Sequence, residues 1–149
     1  MIIPIGSDHA AFKAKEKVKK LLEELGYEVA DYGCDSCDRT DYPLYASKVA
    51  GAISCGKYQK GILICGTGIG MSIAANKYPH VRAALCHDTF TACASREHND
   101  ANILVMGARV LSWDEIAEIV RIWLQTEFAG GRHSARLTLI DDIEKQTMK

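Results

Sequence analysis

The chain has no excess of either charge: 18 lysines and arginines stand against 19 aspartates and glutamates, a net −1. No basic tract interrupts that balance, so the electrostatic footprint of a nucleic-acid binder is missing. Nor does any apolar run approach the roughly 20 residues of a membrane-spanning helix. Neither nucleic acid nor membrane is expected as a partner. The opening residues, Met1-Ile2-Ile3-Pro4-Ile5-Gly6-Ser7-Asp8, lack the basic segment and cleavage site of a secretory leader. The expected location is cytoplasmic, where the six cysteines, at 34, 37, 55, 65, 86 and 93, are reduced thiols. A full set of metal ligands is absent too, although Cys34 and Cys37 have metal-pair or redox spacing. Cys34-Asp35-Ser36-Cys37 has no second C-x-x-C pair to complete a zinc site. His9, His80, His87 and His133 form no H-E-x-x-H or comparable pairing, so no metal is expected.

What is present is the composition of an ordinary globular protein, 48% hydrophobic and 25% charged over 149 residues. That length suits one domain, and residues 1–149 show no repeat, low-complexity tract or linker. Residues 2–6 read as a first strand, although Pro4 is awkward in a central position. Asp8 and His9 precede an amphipathic helix, with Ala14, Val18, Leu21, Leu22 and Leu25 at helical spacing and Gly26 as its stop. Residues 28–32 are a second strand, 35–41 a polar loop, and Tyr42-Pro43 opens a helix that Gly56 ends. Further strands are expected at 62–65, 81–86 and 103–106, and a short helix at 88–96. Ser112 and Glu115 form a capping box for a helix lined by Ile116, Ile119, Val120, Trp123 and Leu124. A last helix is expected over about 134–145. Such alternation predicts an α/β fold with a parallel sheet and helices on both faces. Ligands of such sheets bind beyond the carboxyl ends of the strands. Asp8, His9, residues 65–70, His98, Asn99 and Arg109 are all expected there.

The chain is organised around residues 61–77, G-I-L-I-C-G-T-G-I-G-M-S-I-A-A-N-K. A short buried strand turns through Gly66, Gly68 and Gly70 into a helix, leaving free backbone N–H groups where negative charge is favoured. Met71 stands where a dinucleotide fingerprint needs its last glycine, and no Lys-Ser/Thr ending marks a nucleoside-triphosphate loop. What remains is a set of N–H donors suited to an oxyanion such as an enediolate. Cys65, the last strand residue, has two readings. It is either a small apolar core residue or a thiolate base or nucleophile, favoured by a helix N-terminus that draws thiol pKa values down from about 8.5.

Arg132 and Arg136, four residues apart, share one helix face. They are either a solvated surface or, with Arg109, a phosphate grip. His98 lies in a polar loop, where it is either a surface residue or a proton donor and acceptor, a role to which imidazole is suited at neutral pH.

Five segments carry a resemblance to a known family. They are D-H-A-A-F-K at 8–13, R-T-D-Y-P-x-Y-A at 39–46, the central stretch at 61–77, S-R-x-H-N-D-A-N at 95–102 and G-G-R-H at 130–133. In register over essentially the whole chain, the sequence resembles the type B ribose-5-phosphate isomerases and their relatives, the galactose-6-phosphate and allose-6-phosphate isomerases. The resemblance implies a Rossmann/flavodoxin-like three-layer sandwich with a five-stranded parallel sheet and a C-terminal helix. It also implies a homodimer or dimer of dimers with the active site at the subunit interface, and no metal or organic cofactor. By the same resemblance, Cys65 is the base that moves a proton between C1 and C2. His98 is the ring-opening acid, assisted by Thr67. Asp8, His9, Tyr42 and Asn99 contact the sugar hydroxyls or phosphate. Gly66, Thr67, Gly68, Ile69 and Gly70 form the anion hole, and Arg109, Arg132 and Arg136, with His9, hold the phosphate. A branch of the family has a glutamate in this loop; here that position is Met71, and the chain follows the cysteine pattern.

The expected activity is interconversion of D-ribose 5-phosphate and D-ribulose 5-phosphate through an enediol. Isomerisation of a six-carbon sugar phosphate is the alternative within the same chemistry. A non-catalytic sugar-phosphate or nucleotide sensor, and a thiol-redox protein using Cys34 and Cys37, are the alternatives from other classes. Whether Arg132 and Arg136 serve their own subunit or the neighbour is open at this level.

Overall fold

A computed structural model describes residues 1–148. Strands β1 (Ile2–Ser7), β2 (Glu28–Asp31), β3 (Gly61–Cys65), β4 (Ala83–Leu85) and β5 (Ile103–Gly107) form one parallel sheet in the order β2-β1-β3-β5-β4. Helices α1 (Phe12–Glu24), α2 (Tyr42–Ser54), α3 (Ile69–Ala75), α4 (Thr89–Glu97), α5 (Trp113–Gln125) and α6 (Arg132–Thr147) complete the chain. Among the described residues no helix is long and apolar enough to cross a membrane.

The chain lays β2 on one side of β1 and β3 on the other, so the direction of winding reverses between β1 and β3. That reversal opens the crevice in which doubly wound sheets bind ligands. Relative to the flavodoxin strand order, the last two strands are exchanged. β5 therefore lies beside β3 with Gly107 level with Cys65, and β4 takes the edge.

Two cores cover the two faces of the sheet. Alternation along β3 sends Ile62 and Ile64 into a cluster with Val18, Leu22, Ile116, Val120 and Trp123 of α1 and α5. Leu63 and Cys65 point the other way, among Ala46, Val49, Ala50 and Met71 of α2 and α3. Fully burying an aliphatic side chain of this size contributes about 1.5–3 kcal/mol, and β3 and β5 are buried throughout.

Lys15 is fully buried on α1. Its Nζ donates to both Asp31 carboxylate oxygens, at 2.8 and 2.6 Å, and Lys19 donates to the same carboxylate at 2.7 Å. Asp31 Oδ1 also accepts the Gly33 N–H at 2.8 Å. Gly33 and Cys34 in turn bond the backbone of Ser7. The buried charge thus ties the chain after β2 to the carboxyl end of β1. Burial alone would raise the Asp31 pKa, but its hydrogen bonds to Lys15, Lys19 and Gly33 hold it below the ordinary carboxylate value.

Several expectations shift at their edges. Pro4 does sit in a strand with neighbours on both sides. Its missing N–H faces β3, one residue before that ladder begins at Ile5 and Ile62, while the β2 ladder is served by odd-numbered residues: the Met1 and Ile5 carbonyls accept from Glu28 and Tyr32. β4 is three residues rather than six. On its approach, the Arg82 and Ala83 N–H groups are taken by the side-chain amides of Asn102 and Asn76. Leu25 ends α1 at 37% exposure instead of joining the core. The last helix begins at Arg132, two residues early, because Gly130 and Gly131 adopt positive φ and turn the chain directly into it.

Candidate active site

Three turns meet at the carboxyl ends of β1, β3 and β5. After β1, Asp8 caps a 3₁₀ turn, its Oδ1 accepting the Ala11 N–H at 3.2 Å. His9 Nδ1 accepts the Thr40 N–H at 3.1 Å, which draws the polar loop of residues 35–41 against the end of β1 and sets the start of α2. Tyr42 opens that helix. Its ring lies over Gly70, where a β-carbon would collide with the ring carbons, so the third glycine of the loop is the seat of Tyr42.

After β3, Cys65 is 5% exposed, and its Sγ accepts the Gly68 N–H at 3.1 Å. Gly68 has φ +83°, and a side chain there would strike Leu85 and the Met106 backbone. Only glycine turns strand into helix tightly enough to aim this N–H back at the sulfur. Thr67 is exposed, its Oγ1 accepting the Ile69 N–H at 3.2 Å, and Ile69 is exposed beside it.

After β5, the Ala108 and Arg109 N–H groups bond the Cys65 and Gly66 carbonyls, both at 2.9 Å. The Arg109 side chain packs on Gly66, where a β-carbon would stand 3.3 Å from its Cδ. Asp8, His9, Tyr42, Cys65, residues 66–70 and Arg109 therefore form one cluster: a sulfur, backbone donors, a carboxylate, an imidazole, a phenol and a guanidinium.

The expectation that all candidate residues gather at this end fails for four of them. α4 runs back along the sheet, so His98, at its C-terminal end, and Asn99 lie before the amino end of β5. Cys65 pairs with Gly107 at the opposite end of that strand. Four residue steps separate the two levels, about 13 Å of strand. Arg132 and Arg136 go with His98, because α6 starts beside it: the Ala129 N–H bonds the Glu97 carbonyl at 3.0 Å, and the His133 ring stacks on that of His98 with centroids 4.4 Å apart. Both arginines are exposed. Burial, with His98, Arg132 and Arg136 nearby, holds the His133 pKa below its ordinary value against the opposing pull of Glu97.

This second cluster sits at the root of an unfinished surface. Of the sixteen residues of α6, only His133 is buried, while Leu139, Ile140 and Ile143 are 63, 46 and 58% exposed. A hollow of about 440 Å³ separates α6 from the β4 edge, lined by Asn76, Arg82, Asn99, Ile140 and Ile143 among others. It does not reach Cys65. His133 and Thr40 were not among the residues read as functional from the sequence. The only signal for either was its place beside Arg132 in G-G-R-H or before Asp41-Tyr42.

Comparison with known proteins gives these clusters a context. The family model described as Ribose/Galactose Isomerase matches residues 3–140. The chain is 46% identical to ribose-5-phosphate isomerase B of Escherichia coli, with 97% of each covered. It is 43% identical to a D-erythrulose-4-phosphate isomerase of Pectobacterium atrosepticum, over 97% of this chain and 95% of the other. The solved structure of Clostridium thermocellum ribose-5-phosphate isomerase B superimposes with a TM-score of 0.96 at 49% identity, covering 98% of this chain and 99% of that one. Fold and likeness together define the class: an α/β enzyme that isomerises a sugar phosphate. The chain belongs to the ribose/galactose isomerase family, among the type B ribose-5-phosphate isomerases.

Proposed function

We propose that the protein interconverts D-ribose 5-phosphate and D-ribulose 5-phosphate in sites built from two copies of the chain. The observation that carries the reading is Cys65 Sγ, held by the Gly68 N–H at the crevice between β1 and β3. In the open-chain aldose the Cys65 thiolate takes the C2 hydrogen as a proton. The electron pair forms the C1–C2 double bond, and charge passes to O1, where the N–H groups of residues 66–70 stabilise it. Return of the proton to C1, with transfer of the O2 proton to O1, gives the ketose. Asp8, His9 and Tyr42 orient the hydroxyl groups, and Arg109 binds phosphate. Binding energy from the phosphate, remote from the reacting carbons, holds the sugar in place.

Ring opening needs an acid, and no chain can bring its own His98 to its own Cys65 across the length of a strand. The partner subunit's His98 supplies the acid, with Thr67 assisting. The partner's Asn99 contacts the sugar, and the partner's Arg132 and Arg136 close on the phosphate. The exposed apolar face of α6 supports association of two copies, which is how closed pairs cover such a surface.

The test is an isomerase assay over four-, five- and six-carbon aldose phosphates, because one relative carries a four-carbon name. The highest kcat/KM is expected for ribose 5-phosphate; a tetrose or hexose phosphate preferred over it overturns the assignment of the sugar. Loss of substrate hydrogen to solvent deuterium separates an isomerase from a non-catalytic sensor, which would bind without exchange.

A further inference from the structure

Resting on the isomerase reading, we infer that His133 is a positioning residue for ring opening: it stacks on His98 and holds that imidazole in the orientation in which it transfers a proton to the sugar ring oxygen. The two rings lie 4.4 Å apart at an interplanar angle of 18°, a stacked geometry that leaves the His98 ring edges, where both nitrogens sit, free to meet a substrate. His98 is half-buried at the end of α4, whereas His133 is 8% exposed. The inner ring is thus fixed and the outer one rests on it.

The backbone builds this arrangement deliberately. Gly130 and Gly131, at φ +66° and +58°, turn the chain into α6. The His133 N–H bonds the Gly130 carbonyl at 3.1 Å, and the Ala129 N–H ties the same turn to Glu97. Two glycines and one inter-loop hydrogen bond therefore determine where the His133 ring stands.

The charged groups around it are Glu97 and His98 from α4 and Arg132 and Arg136 from α6. Three of the four disfavour a positive charge on His133. The lowered pKa favours the neutral His133 ring, whose face can lie against His98 without setting a second positive charge beside it. Arg132 opens α6 directly after this turn and Arg136 follows one helical turn later, so one short segment delivers the acid's support and the phosphate grip together.

The chemistry of the substrates separates this role from a structural one. Ribose 5-phosphate is a furanose in solution and must be opened. Ribulose 5-phosphate has its carbonyl at C2 and its C5 oxygen esterified, so it has no five-membered ring to open. Exchange of its C1 hydrogen with solvent deuterium needs the thiolate and the anion hole but not His98. We therefore compare His133→Ala and His133→Phe with the native enzyme in both assays, with His98→Asn as reference. His133→Ala is expected to lower kcat on ribose 5-phosphate by about 10- to 100-fold with KM nearly unchanged, while exchange from ribulose 5-phosphate stays within about threefold of native. His133→Phe, which keeps an aromatic face and cannot titrate, is expected to restore kcat to within about threefold. Equal loss in both assays makes the role merely structural and overturns the inference. So does native kcat in His133→Ala, or a His133→Phe enzyme as impaired as His133→Ala. If the native enzyme itself turns over neither sugar, it is the isomerase reading that has failed, a result distinguishable from all of these.

Discussion

The two ends of the sheet are finished to different degrees. At the carboxyl end the candidate side chains are held by their own chain: Asp8 by the Ala11 N–H, His9 by Thr40, Cys65 by Gly68, and Tyr42 by its seat on Gly70. At the amino end His98 rests on His133, and beyond it Arg132, Arg136 and the apolar face of α6 stand in the open. The contrast between adjacent helices is sharpest. α5 buries six side chains, Ile116, Ala117, Ile119, Val120, Trp123 and Leu124; α6, three residues longer, buries His133 alone. The core of its own chain makes little use of α6, which leaves Leu139, Ile140 and Ile143 exposed. In the two-chain site proposed above, the half wired internally and the half left open are the parts that two copies would bring together.

The largest effect that separates the halves is chemical. Cys65→Ala is expected to lower turnover by about 10³- to 10⁴-fold with substrate affinity nearly intact, measured as kcat and KM by coupled assay. Mixing inactive Cys65→Ala and His98→Asn chains, with subunit exchange, is expected to restore about a quarter of native activity, since half the dimers are mixed and each has one complete site. No recovery would mean that the two halves do not meet across an interface.

Next in size is the wiring of the carboxyl end. Asp31→Ala leaves the buried Lys15 only its longer, 3.5 Å pairing with the partly exposed Glu16 carboxylate and is expected to destabilise the fold by about 3 kcal/mol. Lys15→Met is expected to be milder, because Asp31 keeps Lys19 and the Gly33 N–H. Equal losses in denaturant unfolding would break the claim that the buried lysine depends on Asp31. At the other end, Ile143→Asp places a charge on the exposed face of α6. It is expected to weaken self-association by about 10- to 100-fold without lowering the stability of the isolated chain, read by sedimentation and unfolding together.

The smallest effect is in pH. Both His133 and Asp31 have folded-state pKa values below their ordinary ones, 6.5 and 3.8. In each case the unfolded chain binds the proton first, so stability is present above the ordinary value and lost as pH falls through it. The amino end should therefore weaken as pH drops below about 6.5, and the end wired through Asp31 only below about 3.8. His133→Phe should remove the first step of a Tm-against-pH curve and leave the second.

Much of this was legible in the residues. The runs at 62–65 and 103–106 announced buried parallel strands, and the spacing of Ile116, Ile119, Val120, Trp123 and Leu124 announced the face of α5, because hydrophobic period follows directly from backbone geometry. The glycine loop and its thiol were equally plain. The short β4 was not, since the side chains of Asn102 and Asn76, twenty and seven residues away, take the N–H groups of Arg82, just before the strand, and Ala83, its first residue. The burial of Lys15 was hidden for the same reason: its partner lies sixteen residues away, on another element.

By itself, then, the sequence determined the alternation of strand and helix and the tight turn after Cys65, both of which depend on near neighbours in the chain. Only the tertiary structure decided that β5 lies beside β3, bringing Arg109 to Gly66, and that His98 stands a strand's length from Cys65. Those facts depend on strand order and on the direction in which α4 returns, and no local residue pattern encodes them.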